Sequence, residues 1–364
     1  MISTALSRVL PPPSYLTMPC VGVDISDTSL KYVSFKPTFQ HGADRILEQW
    51  GEIDIPSGIV QRGKVQDPEK LLAVLKECQA VSGAEFVRVS LPEERAYLFE
   101  TELKRNVPRK EVRGLLEFRL EENVPIPSRD VLFDFSILPN DPTEQHVQVA
   151  VAAYAKETIQ TYYDVCLEAG MRPLAFEVEA QAMARAVVPQ DAEGTTMLVD
   201  FGKTRTGIGI VYKGTLLYTS TVDIGGEKLS YTLRKVLGED TPESKLTEIK
   251  NTQGLIKGVD SADVHEALLP VVSVIRDELA TRMQYWHTRG LEGGARRISS
   301  VILCGGSANL KGLPEYLSES LGIPCTRGNV WENAFSLDHH VPPIDVRHSY
   351  GYATAIGLAL KSIV

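Results

Sequence analysis

No stretch of 18 or more apolar residues occurs in the 364-residue chain, so nothing in it reads as a membrane-spanning helix. The N-terminus also lacks the continuous apolar region of a secretory signal. Runs of basic residues are missing too: 38 Lys and Arg face 47 Asp and Glu, for a net charge of −9. That balance disfavours an extended phosphate backbone such as DNA as a partner, while a single nucleotide, held by local donors, remains compatible. Cysteine is sparse. Cys20, Cys78, Cys166, Cys304 and Cys325 are odd in number and form no CxxC pair, which fits reduced thiols in a cytoplasm rather than a disulfide framework. With 43% apolar and 23% charged residues the composition is that of an ordinary soluble protein, and the length suggests two to three domains or subdomains.

What the chain does have is a repeat. Residues 21–35 read VGVDISDTSLKYVSF and residues 197–211 read MLVDFGKTRTGIGIV. Each is an apolar strand ending in an acid, then a small polar turn, then a second β-rich strand. Asp24 aligns with Asp200, Ser26 with Gly202 and Thr28 with Thr204, almost half the chain apart. Two related halves imply a cleft between them. A tight turn between strands aims backbone N–H groups into one concavity that can take phosphate oxygens, with hydroxyls and Lys203 adding donors and charge. Asp24 and Asp200 at the strand ends can hold Mg²⁺ through its retained waters, because magnesium takes one or two carboxylates plus substrate phosphates.

The rest of the chain reads as α/β. Ile2, Ala5, Leu6, Val9 and Leu10 fall at helical spacing before Pro11-Pro12-Pro13, giving either a tail or a short amphipathic helix over 1–17. A helix is expected over 68–80 and a strand in FVRVSLP. Simple alternation then breaks: a strand at 96–103, a helix at 109–122 stopped by Pro125-Ile126-Pro127, and strands at 131–138 and 146–154 separated by Asn140-Asp141-Pro142. This strand-helix-strand-strand order, closed by a helix at 156–169 and Gly170, reads as an inserted module.

Three further segments carry candidate chemistry. In 174–188 an apolar strand runs into a helix whose Ala180, Ala182, Ala184 and Ala186 permit close packing; at the junction Glu179 or Gln181 can face the cleft and orient a water toward a terminal phosphate. Gly225-Gly226 lets the backbone approach a ligand, and Glu227 with Lys228 can reach a ribose or base. In 299–317 a buried strand leads through Cys304-Gly305-Gly306-Ser307 into an expected helix whose free N–H groups can bind adenine or phosphate. The apolar stripe Val264, Leu268, Val271, Ile275, Leu279 and Met283 reads as core.

Together the two hairpins, the junction helix, the CGGSANLKGLPEYLSESLGIP segment and the small-residue helix YGYATAIGLAL resemble the actin-like ATPase superfamily. The position of the inserted module is similar to that in its FtsA and PilM branch. The phrase EAGMRPLAFEVEAQAMARA and the ending LALKSIV resemble the PilM family of type IV pilus assembly proteins, from about residue 18 onward. The resemblance implies a duplicated two-lobe, ribonuclease H-like fold divided into subdomain 1A (18–91 and 172–196), inserted subdomain 1C (92–171), 2A (197–236 and 299–348), 2B (237–298) and a C-terminal helix (349–364) returning to 1A. It implies ATP and Mg²⁺ as cofactors. Asp24, Ser26 and Thr28 would form the first phosphate turn, and Asp200, Gly202, Lys203 and Thr204 the second. Glu179 would orient the water, Gly225, Gly226, Glu227 and Lys228 would meet ribose and adenine, and Gly305, Gly306 and Asn309 would form the adenosine motif. Two departures stand out: Asp27 occupies a turn position that is usually small and uncharged, and the first turn has no glycine. The resemblance further implies a cytoplasmic protein peripheral to the inner membrane, binding the N-terminal tail of a PilN-like protein in a groove between 1A and 1C, with hydrolysis slow at most. The alternatives are an FtsA-like filament-forming ATPase and a small-molecule kinase of the sugar-kinase branch, the latter requiring a base beside the substrate hydroxyl.

Overall fold

The apolar run before Asp24 forms β1 (Cys20–Ile25), and a three-residue turn returns it as the antiparallel β2 (Ser29–Phe35), which places Asp24 opposite Lys31. A computed structural model describes residues 18–36, 44–139, 143–258, 262–289 and 296–361. The expected N-terminal tail or helix at 1–17, the turn Asn140-Asp141-Pro142 and the last three residues of the C-terminal segment lie outside them. Next come β3 (Leu47–Asp54), the short ribbon of β4 (Val60–Gln61) and β5 (Lys64–Val65), α1 (Pro68–Ser82) and β6 (Phe86–Leu91). Local chemistry sets the bounds of α1. Asp67 caps the start by accepting the Lys70 N–H at 3.1 Å, Pro68 stands in the first turn, and Gly83 at φ 63° ends it.

The inserted module holds β7 (Tyr97–Lys104), α2 (Arg109–Asn123), β8 (Val131–Ile137) and β9 (His146–Ala155), with sheet order β7-β9-β8. Val112, Leu116 and Leu120, one face of α2 at helical spacing, close over Phe99, Val149, Val151 and Ala153. A fully buried leucine such as Leu116 stabilises by about 2–3 kcal/mol. The chain then forms α3 (Lys156–Glu168), β10 (Arg172–Val178) and α4 (Glu179–Val187).

The second half contains β11 (Thr195–Phe201), β12 (Thr206–Tyr212), β13 (Thr215–Val222), α5 (Gly226–Leu237), α6 (Glu243–Thr252), α7 (Ala262–Arg289), β14 (Ile298–Cys304), α8 (Leu313–Leu321), β15 (Cys325–Arg327), α9 (Val346–Ser349) and α10 (Ala353–Leu360). Its five strands run β13-β12-β11-β14-β15, and those of the first half run β3-β2-β1-β6-β10. In both sheets the central strand carries the aspartate, pairs antiparallel with its hairpin partner and pairs parallel on its other side. The sequence repeat is therefore a structural one. In open α/β sheets ligands bind beyond the carboxyl ends of the central strands, where both aspartates lie.

Two hydrophobic cores underlie the two sheets. The stripe Val264, Leu268, Val271, Ile275, Leu279 and Met283 of α7 is buried in the second, as its periodicity predicts. In the first, the alanines of α4 and the small residues of α10 allow two helices to approach closely: Gly357 lies against the Ala182 carbonyl, and a Cβ on Gly22 of β1 would run into the Ala355 carbonyl. Leu138 and Ala150 of the inserted module join the second core, so the module touches both halves.

Candidate functional site

The two hairpin turns face a common cavity of about 740 Å³. On the first side, Ser90 of β6 donates its hydroxyl to Asp24 Oδ1 at 2.8 Å and accepts the Ile25 N–H at 3.0 Å. The turn is folded by Ser26, whose Oγ donates to the Ser29 carbonyl at 2.9 Å and accepts the Ser29 N–H at 3.1 Å. Lys31 enters from the strand opposite, its Nζ 2.6 Å from Ser29 Oγ and 3.0 Å from Glu52 Oε1.

The second turn is braced from two directions. The N–H groups of Gly226 and Glu227 donate to the carbonyls of Gly202 at 3.0 Å and Lys203 at 2.9 Å, and Ser307 Oγ donates to the Gly202 carbonyl at 3.0 Å. A Cβ on Gly225 would sit 2.5 Å from the Arg205 nitrogen, so the glycine pair serves the approach of α5 to this turn. Gly305 adopts φ +83° with its α-carbon against the Asp200 carboxylate and the Phe201 carbonyl, a place only glycine fills. The helix expected directly after Cys304-Gly305-Gly306-Ser307 is a correction: residues Gly306–Asn309 make a single 3₁₀ turn, and α8 starts only at Leu313 because Gly312 takes a left-handed φ of 80°. Asn309 spends its amide on the carbonyls of Gly306 at 3.0 Å and Arg347 at 2.7 Å.

Asp24, Ser26, Thr28, Glu179, Asp200, Gly202, Lys203, Thr204, Gly226, Glu227, Gly305, Gly306 and Asn309 all line the cavity. Gly225 lies beneath the second turn instead, and the Lys228 ammonium sits over the Tyr231 ring at 5.2 Å. Of the two junction candidates, Glu179, the first residue of α4, faces the cleft. Gln181 clamps the β12–β13 turn, donating to the Gly214 carbonyl at 3.0 Å and accepting the Leu216 N–H at 2.8 Å.

Electrostatics mark the floor as unusual. Asp24, Glu93, Glu179 and Asp200 are packed close enough to perturb one another. Desolvation and then mutual repulsion push Asp200 up to about 6 and Glu93 up to about 8, and raise Glu179 well above the carboxylate range. Desolvation also raises Asp24, against the opposing effects of Lys31 and the Ser90 hydrogen bond. Glu93 Oε2 is buried with no hydrogen-bond partner among the described residues. Such a cluster favours an added cation. Among the described residues no three His, Cys, Asp or Glu side chains enclose a metal directly. The Asp24 and Asp200 carboxylates are compatible with Mg²⁺, which takes one or two carboxylates and otherwise keeps its water.

Several lining residues escaped the sequence reading. Lys31 was signalled by its hairpin register with Asp24, and Arg205 by its place at the end of the second turn. At the other end of the cavity, Lys250 Nζ lies 2.7 Å from Ser230 Oγ and 3.3 Å from Glu243 Oε1, while Ser230 donates to Glu243 at 2.5 Å. These residues come from α5 and α6 and carry no local signal. The Asp27 departure is resolved by pairing: its carboxylate meets the Arg205 guanidinium at 2.7 Å and accepts the backbone N–H groups of Arg62 at 3.1 Å and Gly63 at 3.4 Å.

Residues 22–363 match the model of a family described as type IV pilus assembly protein PilM. A solved chain of a PilM-PilN type IV pilus biogenesis complex is 21% identical, with 94% of this chain and 98% of that chain covered and a TM-score of 0.73. The ethanolamine utilization protein EutJ from Carboxydothermus hydrogenoformans is 18% identical over 96% of this chain and 90% of its own, with a TM-score of 0.55. MreB5 of Spiroplasma citri bound to ADP is 12% identical over 87% and 93%, with a TM-score of 0.50. At these identities the solved structures speak to fold alone, and the fold they share with this chain is the actin-like, duplicated two-lobe fold expected from the sequence.

Proposed function

Because the chain belongs to the type IV pilus assembly protein PilM family, we propose that it serves as an ATP-binding component of the inner-membrane platform on which type IV pili are assembled. In this reading it takes Mg²⁺-ATP into the cleft between its lobes and the N-terminal tail of a PilN-like membrane protein at the junction of the first lobe and the inserted module. It is then cytoplasmic and peripheral to the membrane; no helix among the described residues is long and apolar enough to cross one. The solved relative captured as a PilM-PilN complex supports the choice of partner. Family membership gives no support to the filament or sugar-kinase alternatives.

The observation that carries the nucleotide reading is convergence. Two turns from opposite halves of the repeat and the Gly305 turn line one cavity above four desolvated carboxylates. The backbone N–H groups of the turns and the Lys31 and Lys203 ammonium groups would take phosphate oxygens. Asp24 and Asp200 would hold the cation, which offsets phosphate charge against the acid cluster. Glu179, at the start of α4 and facing the cleft, would orient a water, and burial with the neighbouring carboxylates raises its pKa, which opposes its use as a base and accords with hydrolysis that is slow at most. Glu227, Glu243 and Lys250 line the nucleoside end.

Closure of the lobes around the nucleotide would set the angle of the inserted module, which contacts both cores, and thereby tune peptide binding. Titration calorimetry with ATP and Mg²⁺, with and without a PilN-type N-terminal peptide, tests the whole reading. Expected are ATP binding that is lost in Asp24→Ala and Asp200→Ala and a peptide affinity that changes with nucleotide. Absence of ATP binding by the wild-type protein would reduce it to a nucleotide-free scaffold.

A further inference from the structure

Arg205 closes the second phosphate turn and reaches across to the other lobe. Its guanidinium is shared by two carboxylates of the first half, Asp27 Oδ1 at 2.7 Å and Glu94 Oε1. These acids come from separate segments, the first hairpin turn and the loop after β6. All three side chains are shielded from solvent, at 16, 17 and 19% exposure for Arg205, Asp27 and Glu94. Asp27 is further fixed by the Arg62 and Gly63 N–H groups, so it cannot swing away without losing two hydrogen bonds. Of the other pairs between the halves, Arg62–Asp223 at 2.8 Å has side chains 73 and 65% exposed and contributes little, while Arg296–Glu100 at 2.5 Å ties the second half to the inserted module rather than to the first hairpin.

The triad therefore combines three properties. It joins the halves, it is a charge-assisted pairing of one planar guanidinium with two acids, and it lines the same cavity as the phosphate turns. Behind it the acid cluster of Asp24, Glu93, Glu179 and Asp200 repels itself, and Arg205 is one of the cations opposing that repulsion. Arg205 ends the second turn and pairs with Asp27 of the first, so a phosphate seated between the two turns would meet its guanidinium.

We propose that Asp27, Glu94 and Arg205 form an ionic latch that holds the two lobes together at the phosphate turns, and that the terminal phosphate of a nucleoside triphosphate competes with the two carboxylates for Arg205. The competition rests on the nucleotide reading given above; the latch does not. Asp27 then has a defined cost for binding, since it places a carboxylate beside incoming phosphate and occupies the guanidinium that would receive it. A triphosphate, with its additional charge, is then expected to compete with the two carboxylates more strongly than a diphosphate.

The experiment uses full-length protein labelled through Lys76→Cys and Glu239→Cys, exposed positions on α1 and beyond α5, for distance measurement by spin labels without added nucleotide. Arg205→Gln is expected to lengthen and broaden the distance distribution, and unchanged distances overturn the latch. Should Arg205→Gln fail to fold, Asp27→Asn with Glu94→Gln tests the same point from the other lobe and is expected to give the same broadening. Affinity for ATP with Mg²⁺ is then measured by calorimetry. Asp27→Asn is expected to bind ATP about tenfold more tightly and Arg205→Gln about tenfold more weakly, with ADP altered less in both. Shifts of the same sign in the two variants overturn the competition. If no variant and not the wild type binds ATP while Arg205→Gln still broadens the distances, the nucleotide reading fails and the latch stands.

Discussion

Ser90 and Asp24 are joined by a 2.8 Å hydrogen bond, and the same serine oxygen accepts the Ile25 N–H at 3.0 Å. One buried hydroxyl thus fixes both the orientation of the carboxylate and the end of the strand that carries it. Ser90→Ala leaves the Ile25 N–H unpaired and removes a donor from Asp24, which costs about 1–3 kcal/mol. Denaturant unfolding should show a lower midpoint at unchanged slope, and ATP affinity should fall because Asp24 becomes harder to ionise.

Stability should depend on pH through the acid cluster with a definite sign. Asp200 ionises at about 6 in the folded protein against 3.8 as the ordinary value. Between those values the folded state keeps a proton that the unfolded chain has lost, so stability falls as pH rises through this window. Glu93 extends the fall to about 8. Asp200→Asn removes the first contribution and should stabilise the protein at neutral pH by about 2–3 kcal/mol without Mg²⁺, with no gain below its ordinary carboxylate range. Unfolding curves over a pH series check this, and added Mg²⁺ should narrow the difference.

Gly225→Ala should uncouple α5 from the second turn. The new Cβ would lie 2.5 Å from the Arg205 nitrogen, a backbone clash that no rotamer relieves. A loss of about 1–3 kcal/mol is expected, together with loss of ATP binding, read from thermal unfolding with and without nucleotide.

Leu116→Ala should separate the two proposed binding activities. Leu116 is fully buried in the small core of the inserted module, remote in sequence from the hairpins. The cavity should cost about 2–5 kcal/mol, falling on the module. Binding of a PilN-type peptide should weaken strongly while calorimetric ATP affinity stays near the wild-type value.

Thiol chemistry should be suppressed by the fold. Burial pushes the Cys78 and Cys166 thiols up to about 12 and Cys20 to about 11, and raises Cys304 further. A thiol reagent at mildly alkaline pH should react slowly with the folded protein and with all five cysteines after denaturation.

The sequence by itself determined the repeat, because a short apolar run ending in Asp24 or Asp200, followed by a small polar turn and a second β-rich run, is a local pattern, and local patterns select strands and turns. It likewise determined the buried stripe of α7, the small-residue faces that let α4 and α10 meet, and the strand-helix-strand-strand module, each legible from spacing within one element. Tertiary structure alone decided which side chains share the cleft. Nothing local separates Glu179 from Gln181, two residues apart; helix rotation relative to the β12–β13 turn sends one into the cavity and the other onto backbone groups. Nothing local shows that Asp27 is matched by Arg205, or that Glu93 and Asp200 repel across it, because electrostatic energy depends on distance and desolvation and not on separation along the chain.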